Sequence, residues 1–257
     1  AEDTSGKVST EEVVIQVGGE NNTPTCAIIE PIDGSSIVVG ETVTFRATVD
    51  DADIAPNELN VEWLSNNDGS LGTATPTSSG DVLFITNALS NNVHAISLIV
   101  TDDVGALCSE QLVLNVGTSP TVTIDQPLDG DVFSLGDAIS FQGTVTDQED
   151  LPNELALTWT SNLDGELFTG NPNSQGITQF STANLNAGLH SLTLSVIDSF
   201  GLFADDIVSF RVNTPPVIDL LSFSPDPIYS NDSLSISVNS SDADGDTVIY
   251  SYLWFEN

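Results

Sequence analysis

Apolar and polar residues alternate along most of this chain. The clearest runs are TVTFRATV, ISFQGTV and SLSISV, in which Val, Ile, Phe and Thr are frequent. Alternation with a period of two is typical of a β-strand with one buried face, and no window has the longer period of an amphipathic helix. The pattern therefore predicts an all-β protein.

The chain repeats itself at an offset of 96 residues. Residues 24–116 align with residues 120–212 without a gap. The segment PNELNVEWLSNNDGSL aligns with PNELALTWTSNLDGEL, which places Trp63 on Trp159, and HAISLIVTDDVGA aligns with HSLTLSVIDSFGL. Repetition of this extent predicts two copies of one structural module.

Each module contains about seven strand-like runs, separated by Asp-Gly, Pro-Asn and Asn-Asn turn signals. This spacing is typical of a β-sandwich. In the first module we expect strands A to C near residues 25–30, 42–50 and 59–65, a C′ or D strand near 69–76, and strands E to G near 81–87, 93–102 and 106–116.

The two ends of the chain match pieces of the same module. EDTSGKVSTEEVVIQV at the N-terminus matches residues 101–116, and the segment from Asn231 onward matches the second module, with Trp254 on Trp159. Both ends therefore read as truncations. We expect the last two strands of a preceding module at 1–19, complete modules at 22–117 and 118–213, and the first strands of a further module at 214–257.

A family resemblance follows from the Trp in the third strand, the pattern L-x-x-G-x-H-x-L-x-L-x-V-x-D-x-x-G at residues 185–201, and the tandem spacing. These features resemble the immunoglobulin-like repeats of large prokaryotic surface proteins, of the polycystic-kidney-disease (PKD) and cadherin-like classes. The resemblance implies tandem immunoglobulin-like β-sandwich modules that act as spacers, adhesins or accessory modules and are seldom catalytic. The W-D-F-G-D-G signature of strict PKD domains is absent, because Trp63 is followed by LSNNDG.

The charge of the chain is strongly negative. There are 38 Asp and Glu residues against three Lys and Arg, for a net charge of −35. Nucleic acids and anionic membrane surfaces are excluded as partners, because both require clusters of basic residues. Such a surface suits a high-salt or marine setting, where ions screen its self-repulsion. No apolar run is long enough to cross a membrane, so no membrane insertion is expected in this segment.

Acidic residues recur at one predicted end of every module. They lie in the turns between strands B and C, which read DDADIAPNE, DQEDLPNE and DADGD, and at the ends of the F strands. The B–C and F–G turns of this fold share one end, so their carboxylates should converge. The candidate metal ligands are Asp51, Asp53, Asp102, Asp147, Glu149, Asp150, Asp198, Asp242, Asp244 and Asp246.

Three interpretations of these acidic turns remain open. Carboxylates that lie together repel unless a cation joins them, and Ca²⁺ accepts six to eight oxygen ligands in loose geometry. The stretch from Asp242 also resembles the calcium-binding acidic loops of cadherin-like repeats. The alternatives are nonspecific screening by cations and plain turn chemistry, in which Asp accepts hydrogen bonds from nearby backbone N–H groups.

The two cysteines are expected to form a disulfide. Cys26 lies near the start of strand A and Cys108 near the start of strand G, and these strands run side by side in the fold. Their counterparts in the second module are Val122 and Ala204, so both cysteines are present in one module and both are absent from the other. A pair of buried thiols is the alternative; a disulfide would place the protein outside the cytoplasm.

Other conspicuous residues are best explained by the fold. Trp63, Trp159 and Trp254 could stack on sugars, but their shared strand position indicates a core residue between the sheets. His94 and His190 coincide at the offset of 96 and invite a metal or pH-switch interpretation, although each stands alone where its ring can bond the neighbouring turn. No Ser, His and Asp grouping is visible, so we expect a non-catalytic chain.

The sequence therefore predicts a non-catalytic extracellular or cell-surface stalk, related to adhesion and stiffened by Ca²⁺. The alternative is a carbohydrate- or protein-binding accessory module of a secreted hydrolase, which would use the segments at 72–80 and 168–176 that differ between modules. A surface glycan or protein ligand would be bound through the larger parent protein. We expect the chain itself to be monomeric.

Overall fold

A computed structural model describes residues 1–14, 19–253 and 255 of the chain. It is built almost entirely of β-strands, as the alternation predicts. The chain divides into two compact units, residues 1–35 with 40–114 and residues 36–39 with 115–257.

The first module consists of two facing sheets. The smaller sheet has the order β1-β3-β6 and the larger one has the order β2-β8-β7-β4-β5. Their strands are β1 (Thr25–Glu30), β2 (Ser35–Val38), β3 (Val43–Asp50), β4 (Asn60–Ser65), β5 (Gly69–Ala74), β6 (Asp81–Thr86), β7 (Asn92–Thr101) and β8 (Leu107–Gly117). This is an immunoglobulin-like β-sandwich.

The second module repeats this topology. Its sheets have the orders β14-β11-β9 and β10-β16-β15-β12-β13. Their strands are β9 (Thr121–Gln126), β10 (Val132–Ser134), β11 (Ile139–Thr146), β12 (Ala156–Ser161), β13 (Gly165–Gly170), β14 (Ile177–Thr182), β15 (Gly188–Ile197) and β16 (Phe203–Asn213). The prediction of tandem immunoglobulin-like sandwiches is confirmed.

The core of each module is centred on its tryptophan. Trp63 and Trp159 are both fully buried. The ring of Trp63 lies 4.9 Å from that of Phe45, and the ring of Trp159 lies 6.1 Å from that of Phe141, between centroids. The structure thus buries both tryptophans in the core, as expected, whereas Trp254 lies outside the described residues.

The structure differs from the expectation of a single first strand. The chain leaves β1 at Pro31, turns at Gly34, and continues as β2 in the opposite sheet, beside β8. Gly34 adopts a φ of +80°, which a residue with a side chain rarely adopts. Asp33 stabilises this crossing, because its Oδ1 accepts a hydrogen bond of 2.7 Å from the N–H of Val113 in β8.

The segments outside the two modules are smaller. Residues 214–257 contain an antiparallel pair, β17 (Val217–Ser224) and β18 (Ser235–Ser241). Large apolar side chains stay exposed there, including Phe223 at 46%. Within the described part of 1–19, the structure has one isolated bridge, between Glu2 and Val8, where two strands are expected.

None of the described helical segments is long and apolar enough to span a membrane.

Candidate functional site

The predicted metal ligands of the B–C loops take part in local hydrogen bonds. Asp51 begins the loop after β3, and its Oδ1 accepts hydrogen bonds from the N–H groups of Asp53 and Ile54, at 2.7 and 3.1 Å. In the second module the Oδ1 of Asp147 accepts from Glu149 and Asp150, at 2.8 and 2.9 Å. Each leading Asp therefore shapes its own loop.

The loop after β18 uses the same arrangement with a different sequence. The Oδ1 of Asp242 accepts hydrogen bonds from the N–H groups of Asp244, at 2.9 Å, and Asp246, at 3.1 Å. Gly245 adopts a φ of +78°, which lets the chain turn within these few residues. The three loops thus share one carboxylate-centred turn.

The acids that end the F strands hold the F–G turns. The Oδ1 of Asp102 accepts hydrogen bonds from the N–H groups of Val104, at 3.1 Å, and Ala106, at 2.8 Å. The Oδ1 of Asp198 accepts from Leu202, at 2.8 Å. Both acids therefore have a structural role in the turn that follows them.

A second acid in each B–C loop reaches the linker in front of the module. The side chains of Asp53, Glu149 and Asp244 accept hydrogen bonds from Asn22, Thr118 and Thr214, respectively. In each pair the linker residue donates both its backbone N–H and a side-chain hydrogen. Sequence reasoning missed these contacts, which join residues about thirty positions apart.

The two complete modules differ in electrostatics at this end. In the first module the side-chain amide of Asn21 donates to Asp102, and with the turn N–H groups it holds the pKa of Asp102 below its usual value. Gly117 occupies the equivalent position in the second module. There, burial and the charges of Asp147 and Asp150 raise the pKa of Asp198.

The pKa of Asp147 is raised as well. Burial is the main cause, and the neighbouring Glu149 contributes repulsion. The Oδ2 atoms of Asp51 and Asp147 are both buried and have no hydrogen-bond partner. In the second module Asp147 and Asp198 both have raised pKa values, whereas in the first module Asn21 donates a hydrogen bond to Asp102.

Among the described residues, no group of three or more His, Cys, Asp and Glu side chains is arranged so that it could hold a metal ion. Eight of the ten acids lie in the three B–C loops, and Asp102 and Asp198 end the F strands; most of the ten already accept hydrogen bonds from the chain. Calcium binding at these loops stays a prediction.

The two histidines are fully buried and hydrogen-bonded at both ring nitrogens. His94 Nε2 lies 2.7 Å from the carbonyl oxygen of Ser90, so Nε2 carries the proton and donates. Its Nδ1 then accepts from the Ser65 hydroxyl, at 2.7 Å. His190 makes the same contacts with Asn186 and Ser161, both at 2.8 Å. The rings tie the F strand to the neighbouring turn, as expected.

This network corrects one expectation, because the structure does bring Ser, His and Asp together in each module. Asp68 Oδ2 lies 3.7 Å from His94 Nδ1, the nitrogen that also faces Ser65. In a catalytic triad the carboxylate holds the nitrogen remote from the serine. Here both groups face one nitrogen, and Ser65 is only 4% exposed, so the grouping is structural.

Cys26 and Cys108 form a disulfide with a Cα–Cα distance of 6.0 Å. The expected pairing of strands A and G is incorrect in one respect, since the strand beside β8 is β2 and Cys26 lies on β1. The bond therefore joins the two sheets of the first module.

Further acids that recur at the offset of 96 also have structural roles that the sequence analysis did not assign. Glu110 and Asp206 accept from the N–H groups of Ile28 and Ile124, where the first strand of each module departs from regular pairing. Asp68 and Asp164 accept from Ser90 and Asn186. The recurrence of an acid at equivalent positions was the signal that could have identified them.

No protein-family model matches this chain. The chain is 26% identical over 213 residues to halomucin of Haloquadratum walsbyi. The aligned region covers 71% of this chain but only 2% of the length of halomucin. Among solved structures, the chain is similar to the fibronectin(III)-like modules of Clostridium thermocellum CbhA, with 15% identity and a TM-score of 0.45. That alignment covers 74% of this chain and 95% of the CbhA chain. The I67–I69 fragment of titin covers 77% of this chain and 69% of its own, with 15% identity and a TM-score of 0.44.

Proposed function

We propose that this chain is a non-catalytic spacer segment of a large extracellular or cell-surface protein. The observation that carries the proposal is the repetition of one closed module whose histidine and tryptophan serve its core. His94 and His190 are buried and doubly hydrogen-bonded, and Trp63 and Trp159 fill the two cores. The two cysteines of the first module are bonded to each other. A module built this way contributes length and resistance to unfolding.

The setting of the protein follows from its chemistry. A disulfide between the sheets favours an oxidising compartment. A net charge of −35 favours a saline medium, in which counterions screen the repulsion between the modules' surface carboxylates. The similarity to halomucin, of which the matched part is 2%, supports a very large parent protein.

Small-angle X-ray scattering of the full chain in concentrated NaCl tests the spacer role. A spacer of tandem modules should have a maximum dimension well above that of a compact protein of 27.0 kDa. A compact protein of about 257 residues has a radius of gyration near 18 Å. A measured radius of gyration of about 18 Å would contradict the proposal.

The alternative function is ligand capture by the segments at 72–80 and 168–176. It is favoured by their divergence in sequence within an otherwise shared framework. A glycan array probed with the chain, and with a variant in which residues 72–80 are replaced by residues 168–176, separates the two functions. Binding that changes on the exchange would favour capture, and absence of any signal would favour the spacer.

We also propose that any specific Ca²⁺ site lies in the second module. The support is electrostatic: burial is the main cause of the raised pKa values of Asp147 and Asp198, and repulsion between neighbouring acids adds to it. A divalent cation would relieve this repulsion. Titration with CaCl₂ and separately with MgCl₂, at fixed high NaCl, should raise the unfolding temperature of the second module with Ca²⁺ only. An equal effect of both ions, or none, would remove calcium from the account.

A further inference from the structure

The same contact between a loop acid and the preceding linker occurs three times. The N–H of Asn22 donates to Asp53 at 2.5 Å, the hydroxyl of Thr118 donates to Glu149 at 2.7 Å, and the N–H of Thr214 donates to Asp244 at 2.5 Å. We call these three pairs (Asn22–Asp53, Thr118–Glu149 and Thr214–Asp244) the linker locks.

Each lock acid is itself positioned by the loop. The first Asp of the loop accepts a hydrogen bond from the backbone N–H of the lock acid, in all three cases. The distances are 2.7 Å for Asp51 to Asp53, 2.8 Å for Asp147 to Glu149 and 2.9 Å for Asp242 to Asp244. In each acidic loop, the carboxylate of the first Asp therefore orients the backbone of the lock acid, whose own carboxylate binds the linker.

The residue types change between modules while the contact stays. The donor is Asn in the first lock and Thr in the other two, and the acceptor is Asp, Glu and Asp. What the three pairs share is a carboxylate that receives both a backbone N–H and a side-chain hydrogen from one linker residue. Because the contact forms with different donor and acceptor residue types, it depends on the backbone arrangement of the module and not on one particular side chain.

We propose that the linker locks are a conformational device that fixes the direction in which the chain enters each module. The three linker residues are at most half-buried and lie outside the strands, although Thr118 directly follows β8 and Thr214 directly follows β16. Neither core packing nor strand pairing of their own holds them against the loop of the module that follows. A hydrogen bond to an ionised acceptor is stronger than one between neutral groups. This inference goes beyond the spacer function and does not depend on it, since it concerns bonds within each module.

Exchange of single backbone amides with water, measured by NMR on the full chain in high NaCl, tests the locks. In Asp53→Ala the amide of Asn22 should exchange about tenfold faster, because its acceptor is gone. Asp53→Glu should restore slow exchange, since the second module uses Glu at this position. The charge-matched control is Glu41→Ala, which removes an exposed acid of the same module and should leave Asn22 unchanged.

Two results would overturn the proposal. One is an unchanged exchange rate of Asn22 in Asp53→Ala, and the other is an equal acceleration in Glu41→Ala, which would indicate a general effect of charge. The amide of Trp63 reports in the same spectra whether the core remains folded. If Asp53→Ala does not fold, Glu149→Ala provides the same measurement on Thr118 in the second module, where an unchanged rate would again overturn the proposal.

Discussion

The side-chain amide of Asn21 donates a hydrogen bond of 2.7 Å to the Oδ2 of Asp102. The second module has Gly117 and Asp198 at these positions, so the equivalent acid lacks this donor and faces other carboxylates instead. The pKa of Asp102 is lowered, with the Asn21 hydrogen bond as the largest cause, whereas burial and then the charges of Asp147 and Asp150 raise the pKa of Asp198. The two acids should therefore respond to acidification in opposite ways.

We predict that Asp102→Asn destabilises its module at pH 7 and that Asp198→Asn does not. Asp102→Asn should lower the unfolding temperature of the first module by a few degrees, because an amide accepts the Asn21 hydrogen bond less well than a carboxylate does. Asp198→Asn should leave the second module unchanged or more stable, because it removes a partly buried charge and the repulsion by Asp147 and Asp150. Differential scanning calorimetry at constant high NaCl resolves the two changes.

The pH dependence follows from the same shifts. The lowered pKa of Asp102 stabilises the first module above the ordinary Asp value of about 3.9, and this stabilisation is lost as the pH falls below it. The raised pKa of Asp198 costs stability at neutral pH, and this cost disappears as the pH falls towards the ordinary value. Acidification from pH 7 to about 4.5 should therefore stabilise the second module selectively. Asp198→Asn should reduce this gain, and an undiminished gain would contradict the assignment.

Gly176 should not tolerate a side chain. A Cβ at this position would lie 2.2 Å from the carbonyl oxygen of Val145, and its φ is +80°. Gly130 is the matched control, because its φ is +85° but a Cβ would meet no atom within 4 Å. Gly130→Ala should cost about 1–2 kcal/mol, from backbone conformation alone. Gly176→Ala should cost clearly more in urea unfolding, and equal costs would show that the close approach to Val145 is absent in solution.

Replacing the disulfide by the residues of the second module isolates its contribution. The double variant Cys26→Val with Cys108→Ala inserts the residues found at Val122 and Ala204. The cysteines are 82 positions apart, and closing such a loop stabilises by up to about 4.5 kcal/mol in the chain-entropy model. The first module should lose stability approaching this value while the second is unaffected. Equal melting of oxidised and substituted protein would contradict a bond in the native state.

We predict that the buried His190 is required for the stability of the second module. His190→Ala leaves the Ser161 hydroxyl and the Asn186 carbonyl oxygen without a partner and opens a cavity, so we expect a loss of about 3 kcal/mol. Leu189→Ala is the control, because Leu189 precedes it on β15 and is 65% exposed. Its cost should stay within about 0.5 kcal/mol. A loss of similar size in both variants, measured by calorimetry, would mean that the network is not formed.

The fold could be predicted from the sequence because its determinants are local or repeated. Alternation defines the strands, and the offset of 96 places Trp63 and Trp159 at one structural position. The crossing from β1 to β2 was missed, because which sheet a four-residue strand joins is decided by β8, about eighty positions away. The proline and the Asp-Gly turn before β2 indicate that the chain bends there, but they do not indicate which sheet β2 joins.

The acidic residues were located correctly but only partly explained. The sequence predicts that acids gather at loops, and the structure shows carboxylates that accept hydrogen bonds from backbone N–H groups, one of the three interpretations left open. The partners of Asp53 and Glu149 lie 31 positions away, in a linker with no strand pattern. Such pairs leave no local signature in the sequence. The recurrence of acids between the modules identified the acids but not their partners in the linker.

Single-molecule pulling of the full chain in high NaCl tests the spacer role most directly. The oxidised first module can extend little, because its disulfide closes most of the module, whereas the second module should release roughly 300 Å in one step. We predict one such long step in oxidised protein and two after reduction, each at a measurable force. Smooth extension without steps would show that the modules do not resist force, and would contradict the proposed spacer function.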